Sequence, residues 1–150
     1  MGCAGTAGMV GVALAAGVAA FPPVALGDAA DLRRGAALYE EHCAACHGAD
    51  LEGEPDWQTP KPDSTLPAPP HDDSGHTWHH PDSMLFDYTK LGGAETLRRM
   101  GVTGVESGMP GFADILSDDE IRAILDFLKS RWSPRMRDYQ RDRTRDNERS

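Results

Sequence analysis

The chain has 150 residues and a formal net charge of −9, with 24 Asp and Glu against 15 Lys and Arg. So acidic a chain argues against nucleic acid and anionic lipid as partners, and favours proteins with a basic docking surface. The length suits one domain, but 39% hydrophobic and 7% aromatic content is thin for a self-sufficient core, so a buried prosthetic group would supply missing interior.

Residues 1–27 contain no charged side chain and read as a signal peptide or membrane anchor, not as fold. Ala25-Leu26-Gly27 places small residues before a cleavage point that would make Asp28 the first mature residue. The basic stretch that normally precedes such a run is missing. An uncleaved anchor is the alternative, since Ala7 to Phe21 is apolar until Pro22-Pro23 break it. Cys3 has no lipobox residues before it and reads as incidental.

Asp31 is the expected N-cap of a first helix over Leu32 to about His42, with Leu38 and Tyr39 facing inward. Gly35 in its middle costs about 1 kcal/mol against Ala, which points to a close approach by another backbone. The helix runs into Cys43-Ala44-Ala45-Cys46-His47, a C-x-x-C-H run that reads as a covalent c-type haem attachment site. Cys43 and Cys46, three positions apart, face the same way on one helical turn and suit two thioether links to the haem vinyl groups. His47 follows where its imidazole reaches the iron as proximal ligand. A thioredoxin-type dithiol would need a strand before the motif, and a zinc site a second ligand pair; neither is evident.

The compartment follows from that motif. Arg33 and Arg34, after the apolar run, would by the positive-inside rule hold the next domain in the cytoplasm, whereas c-type haem is attached on the exported side. The conflict favours an exported domain, cleaved or tethered, with a basic segment further upstream, an atypical signal being the alternative. The domain would be periplasmic or tethered to the periplasmic face of the inner membrane, touching membrane only through its N-terminal segment.

From Gly48 to Pro81 seven prolines forbid long helices and central strands. A haem would supply the interior for so long a loop, and Trp57 and Trp78 are the large residues available to cover it or to hydrogen-bond a propionate. His71, His76, His79 and His80, with Asp72 and Asp73, raise a copper or zinc hypothesis. The competing reading is that these imidazoles hydrogen-bond loop backbone or propionates, or that one is a sixth iron ligand.

Asp82 is the expected cap of a short helix with Met84, Leu85 and Tyr88 as apolar positions, ended by Gly92-Gly93. Ala94 to Met100 reads as another. Met109 then lies in the Gly/Pro-rich stretch Gly108-Met109-Pro110-Gly111-Phe112. A thioether is a soft, neutral ligand that favours reduced iron, so Met109 is the candidate distal ligand opposite His47. Ser117-Asp118-Asp119-Glu120 is a capping box, S-x-x-E, opening a helix whose Ile121, Ile124, Leu125, Leu128 and Trp132 form one apolar stripe ended by Pro134. The first helix is its expected partner. Residues 135–150 alternate Arg with Asp and read as a charged tail, solvated helix or disorder.

Between about residues 31 and 132 the chain resembles the class I monohaem cytochromes c. The resemblance rests on the first helix leading into Cys43-Ala44-Ala45-Cys46-His47-Gly48, on Met109-Pro110 followed by Phe112, and on the terminal helix from Ser117. It implies an all-α cytochrome c fold over residues 28–134, with the N- and C-terminal helices crossing at Gly35 against Phe127 and Leu128 around one covalent haem. It also implies a proline carbonyl accepting the proximal His N–H, from Pro67, Pro69 or Pro70. The loop after the haem motif is longer than in compact members. The Lys ring of mitochondrial-type cytochromes is missing, so their partners do not carry over. The implied function is that of a one-electron carrier with His47/Met109 ligation, exchanging electrons with redox proteins through an exposed haem edge, and not that of an enzyme. Competing functions are a haem-based gas sensor or peroxide-reacting protein with an open distal position, and a copper-handling protein using the loop histidines.

Overall fold

Asp28, not Asp31, caps the first helix: its carboxylate accepts from the backbone of Ala30 at 2.7 Å and Asp31 at 3.0 Å. Helix α1 therefore spans Ala29–His42. Ala29 and Ala30 extend it without penalty, and Asp31 becomes a first-turn acid facing the positive end of the helix dipole. The computed structural model describes residues 1, 27–104 and 106–150. The signal or anchor expected from sequence, including Cys3, lies outside the described residues except for Met1 and Gly27. Among the described residues no helix is long and apolar enough to cross a membrane.

The architecture is all-α. Helix α1 is followed by a single turn α2 (Ala44–His47), then α3 (Asp82–Leu91), α4 (Gly93–Arg99), α5 (Asp118–Arg131) and α6 (Pro134–Glu148). Among the described residues the β-type pairing is one isolated parallel bridge between Thr65 and Glu106.

Helices α1 and α5 form the frame. The capping box holds at the start of α5, with Ser117 and Glu120 satisfying each other's backbone N–H groups, a device worth about 1 kcal/mol. All five stripe residues, Ile121, Ile124, Leu125, Leu128 and Trp132, are buried. They pack with Tyr39 of α1 and with Leu51, Leu85, Phe112 and Leu116 from the rest of the chain. At the crossing, a Cβ on Gly35 would overlap the Ala123 carbonyl and lie 3.0 Å from Phe127 Cβ. The expected close approach is there, and it is made to backbone.

Helix α3 differs from expectation at its start. Pro81 occupies the cap position without a side-chain hydrogen bond, and Asp82 is the first helical residue. The Asp82 carboxylate instead accepts from Gln140 Nε2 at 2.6 Å and pairs with Lys129 Nζ at 2.8 Å. Leu85 is buried, while Met84 and Tyr88 are half-buried.

The charged tail is helical and its inner side is docked. Ser133 caps α6 and Pro134 takes its first turn, where a missing N–H does no harm. Gln140 is buried and also donates to the His80 carbonyl at 3.2 Å. Thr144 accepts from the Asp82 N–H, and Asn147 donates to Ser83. Helix α6 thus clasps residues 80–83 through polar groups, while Arg141, Arg145 and Arg149 pair outward with acids on the same helix.

Candidate functional site

Helix α1 delivers the Cys43–His47 run. Cys43 breaks the helix, and α2 restarts at once, with the N–H groups of Cys46 and His47 both returning to the Cys43 carbonyl at 3.2 and 3.0 Å. Gly48 ends the turn at φ 80°, and its carbonyl accepts from the Tyr39 hydroxyl at 2.9 Å. Both thiols are free; Cys43 is half-buried against the core and Cys46 is exposed. Burial, with the neighbouring Cys46 second, pushes the Cys43 thiol up to about 11.

His47 is buried, 8% exposed. Its Nδ1 lies 2.9 Å from the carbonyl oxygen of Pro69, which singles out Pro69 from the three expected prolines. A carbonyl only accepts, so Nδ1 carries the proton and Nε2 keeps its lone pair. Burial lowers the His47 pKa, with the Pro69 bond acting against it, so the ring is held neutral in the protonation state a metal requires.

The loop that brings Pro69 there is fixed by backbone bonds. Gly53 N–H donates to the His47 carbonyl, Glu54 N–H to Ala68, and His71 N–H to Leu51, each at 2.8 Å. The Glu54 carboxylate accepts from the Ala68 N–H at 2.6 Å and pairs with Lys61. These two contacts, the Ala68 bond first, hold its pKa below the usual range.

Met109 is half-buried and packs against the same core cluster as Cys43 and Ala44. Its loop is clamped onto the junction of α3 and α4. The Met109 carbonyl accepts from Gly93 N–H at 3.0 Å, and Phe112 N–H reaches the Thr89 and Lys90 carbonyls at 3.1 Å. A Cβ on Gly92, at φ 83°, would sit 2.7 Å from Gly111 N and 3.0 Å from the Met109 oxygen. Gly92 and Gly93 are read from sequence as helix terminators; Gly92 ends α3 while Gly93 opens α4, and the two together are the seat of the Met109 loop.

The four loop histidines do not converge. His71 stacks on His47, His76 lies flat on Trp57 at 5.1 Å, and His79 stacks on Trp78 at 3.9 Å. His80 meets the His76 ring edge-on. Among the described residues no group of three or more His, Cys, Asp or Glu side chains is placed to share a metal ion.

The cytochrome c family model matches residues 32–132, more than half of the chain. The chain belongs to the cytochrome c family. No curated protein and no solved structure matches it in the corresponding comparisons. The family is one of haem-based electron transfer, and a cytochrome c domain implies a covalently attached c-type haem. The all-α arrangement is that of a cytochrome c fold.

The residues present fit such a group. Two thiols and a neutral, tautomer-fixed imidazole lie within one turn of each other. In addition, Trp78 Nε1 is buried with no hydrogen-bond partner, a costly state that an acidic acceptor such as a haem propionate would relieve. The sequence offers Trp57 and Trp78 together for covering a haem or bonding its propionate, and of the two Trp57 stacks on His76. Sequence reasoning missed the stacking of His71 on His47, because two rings separated by 24 positions meet only once the loop closes.

Proposed function

We propose that this cytochrome c is a one-electron carrier with a single haem, attached through Cys43 and Cys46 and ligated by His47 and Met109. The observation that carries the reading is the His47 Nδ1 to Pro69 carbonyl bond at 2.9 Å, which leaves Nε2 unprotonated and anchors the opposite edge of the ring. When bound, the haem supplies a reversible one-electron couple at its iron. His47 donates a neutral nitrogen, and hydrogen bonding of its far side to Pro69 raises its basicity. Met109, in a loop seated on Gly92 and Gly93, supplies a soft sulfur that favours the reduced state. Leu51, Phe112 and the α1–α5 core pack behind Cys43 and Ala44, while Ala45 and Cys46 stay exposed.

The carrier works on the exported side, in the periplasm or tethered to the inner membrane by its N-terminal segment. Its partners are redox proteins presenting basic surface to an acidic one. Intact mass and the pyridine haemochrome test stoichiometry and attachment. One haem per chain is expected, held by one link in Cys43→Ala or Cys46→Ala and lost on denaturation of the double variant. Two haems, or retention of haem by the double variant, would contradict the assignment.

A further inference from the structure

A hydrogen bond to Pro69 pins one edge of the His47 ring but leaves the ring free to rock about that point. The structure also holds its face. The His71 ring lies 4.0 Å away, centroid to centroid, and 22° from parallel. His71 is in turn tied at three places. Its N–H donates to the Leu51 carbonyl at 2.8 Å, its carbonyl accepts from Trp132 Nε1 at 2.7 Å, and its Nδ1 bonds Thr77 Oγ1 at 2.9 Å. Thr77 is buried, and its hydroxyl reaches the Pro70 carbonyl.

We infer that His71 is a positioning residue, a second imidazole whose flat face sets the rotational orientation of the His47 ring. The inference rests on His47 being an iron ligand. A ring held at its edge by Pro69 and across its face by His71 has lost both of its soft motions, so its plane is set by the protein before any ligand binds. Trp132 makes the end of α5 part of the same support, so the helix frame and the orientation of the ring are mechanically linked. An aliphatic side chain at position 71 would fill the space without defining a plane.

The readout is the pattern of haem-methyl hyperfine shifts in the proton NMR spectrum of the oxidised, haem-loaded protein, which follows the orientation of the axial imidazole plane. His71→Leu should redistribute the four methyl shifts, whereas His71→Phe, which restores a flat face, should return them towards the wild-type order. Thr77→Val, which releases the ring without removing it, should shift them in the same sense as His71→Leu and by less. If His71→Leu and Thr77→Val both retain the wild-type pattern in a low-spin protein, the positioning role is overturned while ligation by His47 stands. A wild type whose spectrum lacks an axial imidazole altogether overturns the ligation reading first, and the inference with it.

Discussion

Gly35 and Ala123 meet backbone to backbone: a Cβ on Gly35 would overlap the Ala123 carbonyl oxygen. Helix propensity alone would make Gly35→Ala stabilising by about 1 kcal/mol. The collision is with a carbonyl in the middle of α5, which cannot swing aside, so the frame has to open. Gly35→Ala should instead lose roughly 1–3 kcal/mol, as overpacking does. Urea unfolding of the haem-loaded protein measures this, and an unchanged or raised midpoint would show that the crossing is looser than described.

Gly92 combines a left-handed backbone, φ 83°, with a close approach to the backbone of the Met109 loop. Gly92→Ala adds both backbone strain, of order 1–3 kcal/mol, and a clash with Gly111 and Pro110. The loop should lift, so that the absorption band of an iron–methionine bond weakens and CO gains access. A variant with the wild-type band and no CO binding would mean that this glycine does not seat Met109.

Burial, followed by the charges of His76, His79 and Arg143, pushes His80 down from 6.5 to about 4. The unfolded chain takes up a proton as pH falls through 6.5, and the folded protein does so only near 4. Stability is therefore lost between those values and levels off below. His80→Gln keeps the backbone carbonyl that Gln140 uses and removes the titration. The difference between wild type and variant should change across this window in urea midpoints; a pH-independent difference would contradict it.

Gln140 is a buried amide bridging the Asp82 carboxylate and the His80 carbonyl. Gln140→Leu leaves both acceptors short of a donor and should lower stability by about 1–3 kcal/mol. Amide exchange should accelerate in residues 80–84 and in α6. If exchange there is unchanged, α6 is not what holds the segment.

The sequence made the frame legible because its signals are local or periodic. A capping box at Ser117, a stripe from Ile121 to Trp132 and a glycine inside α1 each have one physical meaning. The proximal proline was narrowed to three residues, and only the loop path, set by the non-local Gly53–His47 and His71–Leu51 bonds, selects Pro69. Asp31 is the cap expected from sequence, and Asp28 takes that place because Ala29 and Ala30, which carry no strong local signal, continue the helix one turn further back. The docking of α6 is hard to read from sequence because its inner side carries only Met136, against the core, and Tyr139, against Trp78 and His79, with Gln140, Thr144 and Asn147 adding hydrogen bonds where an apolar stripe would have advertised the contact. His71, His76, His79 and His80 look like one cluster along the chain, yet around the tight 3-10 turn Thr77–His79 His71 goes to His47 and His79 to Trp78, while His76 and His80 meet each other.

The most direct measurement is the visible spectrum of the haem-loaded protein, oxidised and reduced, with and without CO, beside Met109→Ala. A six-coordinate carrier gives a low-spin reduced spectrum indifferent to CO, and an iron–methionine charge-transfer band in the oxidised form that disappears in the variant. A high-spin wild type that binds CO as readily as the variant would contradict the carrier assignment and leave a haem protein with an open distal position.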